Sequence, residues 1–225
     1  MIHWHVKPTA EEVALAARDI IIDAAHRAIH VHGIFKLVLA GGTTPERVYS
    51  LLTKETCHWE KWQLYLGDER CLPIHHPQRN SQIIQRTLLD KIDIPRQNIH
   101  FIPAELGAVK AAAKYQQIIN LASPFDLVIL GMGEDGHTAS LFPNHQYIES
   151  ELVHAVFNAP KPPAERVSMS MTALSQNRTL LRLITGANKK DSVEQWRKGE
   201  NLPIATITTL GNEITLLDQS TFGDT

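Results

Sequence analysis

The run GMGEDGHTASLFP, at residues 131–143, holds the residue types that acid–base chemistry requires. His137 follows Asp135 by two positions, and a neutral imidazole oriented by a carboxylate can take a proton from water. Three glycines in the first six residues indicate sharp turns or a close approach of the backbone to another group. A helix is expected to begin at Thr138. His137 is therefore a candidate general base; the alternative is an ordinary structural or surface histidine, since the chain has 12 histidines.

A second segment, AGGTTPE at residues 40–46, has the composition of an anion-binding loop. Glycines allow backbone N–H groups to reach a ligand, and the start of a helix carries partial positive charge. Pro45 suits the first turn of such a helix. The segment is not a Walker motif, because no lysine follows at the required place. The alternative is a tight turn in which Thr44 caps the helix.

Two further segments, GDER (67–70) and GANKK (186–190), supply cations. Arg70 has the planar fork that binds phosphate through two hydrogen bonds. An internal salt bridge or a solvated corner is the alternative for this segment. Lys189 and Lys190 lie near a predicted helix N-terminus, where they oppose the helix dipole, which indicates an anion without requiring one.

All four segments directly follow apolar runs that are predicted as buried strands. The predicted strands are 37–40, 62–67, 125–131, 179–186 and, at the end of the chain, 214–218. The predicted helices are a segment capped by Thr9 and Glu12 and ending at Gly33, then 45–53, 81–90, 105–122 and 188–198. Strands that alternate with helices in this way predict an α/β fold, a three-layer open and mostly parallel sheet with helices on both faces. Ligands bind such sheets at the carboxyl ends of the strands, where these four segments lie.

Composition narrows the class of protein further. The 225 residues carry a formal charge of −2, so neither nucleic acid nor membrane is expected as a partner. No linker or repeat interrupts the chain, and we expect one domain over residues 1–225. The two cysteines, Cys57 and Cys71, lack metal-type spacing and favour free thiols in the cytoplasm. The start of the chain does not have the pattern of a signal peptide.

Two other chemistries have little support in the sequence. Serine hydrolysis is not expected, because there is no G-x-S-x-G elbow. A zinc site is not expected either, because the pairs His75–His76 and His3/His5 lack the context of metal ligands.

Taken together and in order, these segments resemble the glucosamine-6-phosphate isomerase/6-phosphogluconolactonase family. The family pattern comprises a GGSTP-like loop, GDER-x-VP-x-x-H-x-x-SN, GMG-x-DGHTASLFP, RVTLT and G-x-x-K-A. The corresponding runs here are GGTTP (41–45), GDERCLPIHHPQRN (67–80), GMGEDGHTASLFP (131–143), RVSMS (166–170) and GANKK (186–190). The chain departs from the pattern at Arg79, where the family has Ser, at Leu72 for Val, at Lys190 for Ala, and in the methionines of RVSMS.

The resemblance implies a Rossmann-like, NagB-type sheet and hydrolysis of 6-phospho-D-glucono-1,5-lactone to 6-phosphogluconate. It implies His137 as the general base, Asp135 as the group that positions the substrate or the histidine, and no metal or organic cofactor. The substrate-binding residues that it implies are Gly41, Gly42, Thr43, Thr44, Asp68, Arg70, Gly136, Arg166 and Lys189. The partner would be a small sugar-phosphate lactone, and the protein a monomer or weak homo-oligomer.

Several alternatives remain open at this point. A glucosamine-6-phosphate deaminase would continue DGH with I-A-F-N-E-P, whereas this chain continues with T-A-S-L-F-P and lacks that Glu. A non-catalytic sugar-phosphate sensor would normally carry a helix-turn-helix, but residues 1–36 offer only one amphipathic helix. The sequence does not decide which cation holds the phosphate; the candidates are Arg70, Arg79, Arg166, Lys189 and Lys190. Glu134 is given no role.

Overall fold

The computed structural model describes residues 4–222 and contains ten strands within that range. In chain order the strands are β1 Trp4–Lys7, β2 Phe35–Leu39, β3 Trp62–Leu66, β4 Asp68–Arg70, β5 Ile99–His100, β6 Leu127–Gly131, β7 Val153–Val156, β8 Arg166–Met169, β9 Thr179–Ile184 and β10 Asn212–Asp218. Seven of them form one sheet in the order β1-β10-β9-β6-β2-β3-β5, and every neighbouring pair in it is parallel. The predicted mostly parallel sheet is confirmed.

Helices flank this sheet and complete a three-layer α/β arrangement. They are α1 Ala10–His32, α2 Thr43–Leu52, α3 Asn80–Thr87, α4 Ala108–Ala122, α5 Met171–Ser175, α6 Lys190–Arg197, α7 Pro203–Thr206 and α8 Gln219–Phe222. The ends of α1 follow the predicted chemistry. Thr9 Oγ1 accepts the Glu12 N–H at 3.2 Å, and Gly33 closes the helix in the left-handed conformation.

The remaining three strands form a small antiparallel sheet in the order β4-β8-β7. Asp68 lies opposite Ser168, and Arg70 lies opposite Arg166. Sequence patterns do not predict this sheet, because β4 has only three residues and resembles the polar end of β3. Its position is set by Gly67, where the chain leaves the parallel sheet and the carbonyl accepts the Met169 N–H at 2.8 Å.

Two buried tyrosines fix the strand ends at which candidate site loops begin. Tyr49 of α2 donates its hydroxyl proton to the Ala40 carbonyl at 2.7 Å and accepts the Ala40 N–H at 3.0 Å. Tyr115 of α4 makes the same pair of bonds with Leu66, at 3.0 and 2.8 Å. Burial raises the pKa of both phenols far above the usual range. Both hydroxyls therefore stay protonated and hold the ends of β2 and β3.

The helix expected to begin at Thr138 is wrong, since the chain between Gly131 and Val153 forms turns and loops. Thr138 Oγ1 donates back to the Gly131 carbonyl at 2.8 Å, and Ala139 has a φ of 50°. Ser140 Oγ donates to Asp68 Oδ2 at 2.6 Å. These bonds tie the segment to β6 of the large sheet and to β4 of the small sheet. A left-handed residue at the second position of the segment prevents a right-handed helical turn.

Within residues 4–222 no helix is long and apolar enough to cross a membrane. The organisation of residues 1–225 as a single domain stays a prediction.

Candidate active site

The carboxyl ends of β2, β6 and β9, together with the small sheet, border a cavity of about 250 Å³. Most of the predicted site residues line it. They are Gly41, Gly42, Thr43, Thr44, Asp68, Arg70, His137, Arg166 and Lys189. A larger groove of about 830 Å³ lies near β5, but it contains none of these nine residues. The cavity at the strand ends is therefore the candidate active site, as the rule for open α/β sheets predicts.

His137 and Asp135 form a hydrogen-bonded pair at the edge of this cavity. His137 Nδ1 lies 2.5 Å from Asp135 Oδ1, which also accepts the His137 backbone N–H at 3.2 Å. The His137 side chain is only 19% exposed and packs against the Phe142 ring. Asp135 itself is not among the cavity-lining residues, so the structure places it behind the imidazole.

The electrostatics of the pair favour a neutral ring beside an ionised carboxylate. Burial lowers the pKa of His137 below its usual value, although Asp135 and Asp68 oppose this shift. Burial raises the pKa of Asp135, but the charge and hydrogen bonds of His137 outweigh it, and the net shift is downward. A carboxylate cannot donate, so the shared proton lies on Nδ1 at neutral pH. Nε2 then keeps its lone pair, which is the state that a general base needs.

Two positions in the run that precedes His137 require glycine for steric reasons. A Cβ on Gly133 would lie 2.1 Å from His137 Nδ1 and Cε1, so only glycine lets the backbone pass this close to the ring. Gly136 has a φ of 79°, and a Cβ there would lie 2.8 Å from a Leu202 methyl group. Gly136 makes the turn before His137 and does not line the cavity, so its role in substrate binding stays a prediction.

The Gly–Thr loop presents the start of α2 to the cavity. Gly42 is the N-cap with a φ of 113°, and no side chain caps the helix. The first turn of α2 thus has N–H groups without a side-chain cap, and Gly42, Thr43 and Thr44 line the cavity. The alternative in which Thr44 caps the helix is wrong, because Thr44 lies inside the first turn and its hydroxyl bonds Thr185 Oγ1 at 2.5 Å.

Strand β4 separates the three polar residues of GDER by alternation. Glu69 points away from the cavity, is fully buried, and accepts the N–H groups of Asn80 and Ser81 at 2.7 and 2.8 Å. It therefore caps the start of α3. Asp68 and Arg70 point the other way and line the cavity. Asp68 receives hydrogen bonds from Ser140 and Asn80, so its carboxylate has a structural function as well as a place in the cavity.

Asn80 lines the cavity and was missed as a site residue. Its amide nitrogen donates to both the carbonyl and the carboxylate of Asp68 at 2.9 Å. Its Oδ1 lies so close to the Gly–Thr loop that a Cβ on Gly41 would come within 2.1 Å of it. The side chain thus joins the start of α3 to β4 and packs against the loop that follows β2. The Asn that ends the family's GDER pattern was the signal that could have found it.

Two arginines occupy the side of the cavity formed by the small sheet. Arg70 donates one guanidinium N–H to the Gln78 carbonyl, and its buried Nε has no partner among residues 4–222. Arg166 is 6% exposed, and burial lowers the pKa of its guanidinium, with Asp68 opposing the shift. Arg166 donates through Nη2 to the Lys161 carbonyl at 2.9 Å and through Nε to Pro163 at 3.1 Å.

A second group of charges lies at the mouth of the cavity around Glu134. Its two carboxylate oxygens accept from Lys161 Nζ at 2.6 Å and from the Asn188 amide at 2.7 Å. These hydrogen bonds lower the pKa of Glu134 to about 2. Lys189 is half-buried beside this group, and burial lowers the pKa of its ammonium. Lys161 lines the cavity but was missed, because it lies in a proline-rich loop that follows no strand of the parallel sheet.

Arg79 and Lys190 are not brought to this site. Arg79 is 2% exposed, donates to Glu105 at 2.9 Å and to the Ile102 carbonyl at 3.0 Å, and lies beside Glu69. It cross-links the interior near α3. Lys190 is exposed at the first residue of α6 and does not line the cavity.

Neither cysteine lines the cavity, and no metal-binding cluster is found among the described residues. Across residues 4–222 no group of three or more His, Cys, Asp or Glu side chains could hold a metal ion. His3, one of the histidines weighed as a zinc ligand, falls outside that range. Cys57 and Cys71 are free thiols, and burial raises the pKa of each to about 11, which makes both poor nucleophiles at neutral pH.

Known proteins provide an independent comparison. The sequence model of one family, described as glucosamine-6-phosphate isomerases/6-phosphogluconolactonase, matches residues 8–216. The 6-phosphogluconolactonase of a Nostoc species is 32% identical over 202 residues, covering 84% of this chain and 83% of that protein.

Solved structures agree on the fold. The crystal structure of 6-phosphogluconolactonase from Thermotoga maritima superposes with a TM-score of 0.87 at 29% identity, covering 97% of this chain and 99% of that one. A monomeric glucosamine-6-phosphate deaminase reaches a TM-score of 0.85 at 19% identity, covering 98% of both chains. The second likeness shows the fold alone. Fold likeness therefore does not separate the two activities, and the residues of the site must do so.

Proposed function

The chain belongs to the glucosamine-6-phosphate isomerase/6-phosphogluconolactonase family, and we propose that it hydrolyses 6-phospho-D-glucono-1,5-lactone to 6-phospho-D-gluconate. This is the second step of the oxidative pentose phosphate pathway. The observation that carries the proposal is the His137–Asp135 pair, which presents a neutral imidazole to a cavity lined by cations. The enzyme is a carboxylic ester hydrolase.

One position favours a lactonase over a deaminase. The deaminase pattern places a Glu five residues after the histidine, where this chain has Phe142. Phe142 is buried, and its ring centroid lies 4.7 Å from that of His137. An apolar ring at this position supplies no second acid or base beside the histidine. It adds to the burial that keeps the imidazole neutral, which suits activation of a single water molecule.

Catalysis begins with a water molecule placed between His137 and the lactone carbonyl. His137 Nε2 takes one proton from the water as its oxygen forms a bond to the carbonyl carbon. The imidazolium that results is stabilised by Asp135 through Nδ1, so no proton needs to leave the pair. General-base assistance of this kind contributes about 10²–10⁴-fold to the rate.

The tetrahedral intermediate then collapses with ring opening. The carbonyl re-forms, the bond from the carbonyl carbon to the ring oxygen breaks, and the imidazolium returns its proton to that oxygen. The products are a carboxylic acid, which ionises at neutral pH, and a free hydroxyl. Negative charge develops on the carbonyl oxygen before collapse, and the uncapped N–H groups at the start of α2 are the donors proposed to stabilise it.

The cations hold the phosphate group and thereby orient the lactone. Arg70 and Lys189 are the primary candidates, because both line the cavity and neither is neutralised there by a direct salt bridge within residues 4–222. Arg166 lines the same wall as Arg70, but two of its guanidinium nitrogens already donate to backbone carbonyls. Asp68 is a polar neighbour of this wall. When the phosphate is fixed, the lactone carbonyl is held close to the water molecule and His137, so the reaction proceeds as if it were intramolecular.

The setting proposed for the enzyme follows from its sequence. Free thiols at Cys57 and Cys71 favour the reducing cytoplasm, and the reaction as proposed requires no cofactor. We expect a monomer or a weak homo-oligomer that acts on a small molecule.

Adding the protein to freshly generated 6-phosphogluconolactone tests the proposal. Acid release should exceed the spontaneous rate at catalytic protein concentration. Release of ammonia from glucosamine 6-phosphate would instead indicate a deaminase. Binding of 6-phosphogluconate without turnover of the lactone would indicate a sugar-phosphate sensor.

A further inference from the structure

The loop of residues 157–165 joins β7 to β8 and brings one lysine into the active-site cavity. Lys161 is the only cavity-lining residue that this loop contributes, and its side chain is 61% exposed. Prolines at 160, 162 and 163 surround it. Proline restricts the backbone and lowers the conformational entropy of a loop. The lysine is therefore held at the cavity on a stiff support.

Arg166 fixes the position of this loop through hydrogen bonds to its backbone. Its Nη2 donates to the carbonyl of Lys161 itself at 2.9 Å and, at 3.4 Å, to that of Pro162. Its Nε donates to Pro163 at 3.1 Å. Three consecutive carbonyls of the loop thus converge on one buried guanidinium. An arginine with these three bonds positions the loop, whereas the Lys161 ammonium, whose side-chain partner is Glu134, keeps further N–H donors for a ligand.

The surroundings of the ammonium favour an anion as that ligand. Lys161 and Lys189 both lie beside Glu134, so the mouth of the cavity carries two positive charges against one negative charge. The Lys161–Glu134 ion pair is exposed on both sides, and such pairs are weak in water. An anion of two charges can therefore draw Lys161 from Glu134, or share it, at small cost.

We propose that Lys161 is a further phosphate-binding residue of the active site, which the 157–165 loop delivers and which Glu134 orients before the substrate arrives. The inference rests on the proposed function for the identity of the phosphate compound. It assigns Arg166 a positioning function that acts through Lys161, and it gives Glu134 a purpose that the sequence did not suggest.

The test compares Lys161→Met, Lys161→Arg and, as a matched control, Lys190→Met. Lys190 is also an exposed cation, but it lies outside the cavity. Calorimetry would measure the affinity of each protein for 6-phosphogluconate, and thermal unfolding would confirm that each variant is folded. Steady-state kinetics on 6-phosphogluconolactone would separate kcat from KM.

Loss of the charge in Lys161→Met should weaken 6-phosphogluconate binding and raise KM about tenfold, with kcat little changed, because a charge-assisted contact is lost in substrate and transition state alike. Lys161→Arg should restore most of the affinity, and Lys190→Met should match the wild type. An unchanged affinity in Lys161→Met would overturn the inference. An equal loss in Lys161→Met and Lys161→Arg would also overturn it, because the shape of the loop would then matter and not its charge.

Binding does not require turnover, and the two proposals therefore fail separately. If the wild type bound 6-phosphogluconate in a Lys161-dependent way but did not accelerate lactone hydrolysis, the proposed activity would be wrong and the phosphate site would stand. If the wild type hydrolysed the lactone and Lys161→Met bound product normally, only the phosphate site would be wrong.

Discussion

The large parallel sheet and the small antiparallel sheet supply different things to one cavity. The parallel sheet contributes the loops after β2, β6 and β9, which hold the uncapped start of α2, the His137–Asp135 pair and Lys189. The small sheet contributes Arg70, the side chain of Arg166 and the loop with Lys161. Its function follows from position, because it closes the cavity from the side that the strand ends of the parallel sheet leave open.

This difference suggests that one region performs the chemical step and the other binds the phosphate. The loop that performs the chemistry lies after a buried central strand, where backbone geometry is rigid enough for a glycine to pass within van der Waals contact of an imidazole. The cations lie mostly on a peripheral element, and among them Lys161 needs less precise placement because a lysine acts on phosphate as a point charge. Damage to the first region should lower kcat, and damage to the second should raise KM.

Gly133→Ala should show the largest effect, and it disturbs the first region without replacing a functional side chain. The added methyl group would lie 2.1 Å from the His137 ring and must displace it from Asp135. We expect kcat to fall by about 10²–10⁴, as for loss of the general base. Steady-state kinetics would measure the loss.

Gly67→Ala is the matched control for this substitution. A Cβ on Gly67 would meet its nearest neighbours at 3.6 to 3.9 Å, which is ordinary contact, and Gly67 does not line the cavity. Its kcat should stay near that of the wild type. A Gly133→Ala enzyme with normal kcat would show that the position of the ring is not critical.

Arg70→Met and Lys189→Met test the proposed phosphate-binding region, and their expected effect is smaller. Each removes a charge-assisted contact to phosphate, so KM for 6-phosphogluconolactone should rise about 10- to 100-fold while kcat changes little. Steady-state kinetics would measure both constants for each variant. A variant with normal KM would remove that residue from the phosphate site. A large fall in kcat without a change in KM would contradict the division between the two regions.

The sequence predicted the part of this molecule that obeys local rules. Short apolar runs predict the buried strands. Patterns within a few residues also predict the cap at Thr9 and the end of α1 at Gly33. The placement of the four polar segments together followed from the rule for strand ends. The pairing of His137 with Asp135 is also local, because only two residues separate them.

The rest depends on contacts between distant segments, which single-sequence patterns do not encode. Thr138 would suit a helix start, but Ser140 binds Asp68, 72 residues away, and the segment turns instead. Arg79 has a guanidinium group that could bind phosphate, yet its partners are the carboxylates of Glu69 and Glu105. Lys161 lies at the cavity on a loop whose carbonyls bond to Arg166, and no local pattern marks it.

The role of His137 is tested by the kcat of His137→Gln at saturating 6-phosphogluconolactone, with acid release followed against spontaneous hydrolysis. Glutamine is close to histidine in size but cannot act as a base. If His137 is the general base, kcat should be lower by about 10²–10⁴ with KM little changed. A kcat equal to that of the wild type would contradict the assignment of His137 as the general base and the mechanism built on it.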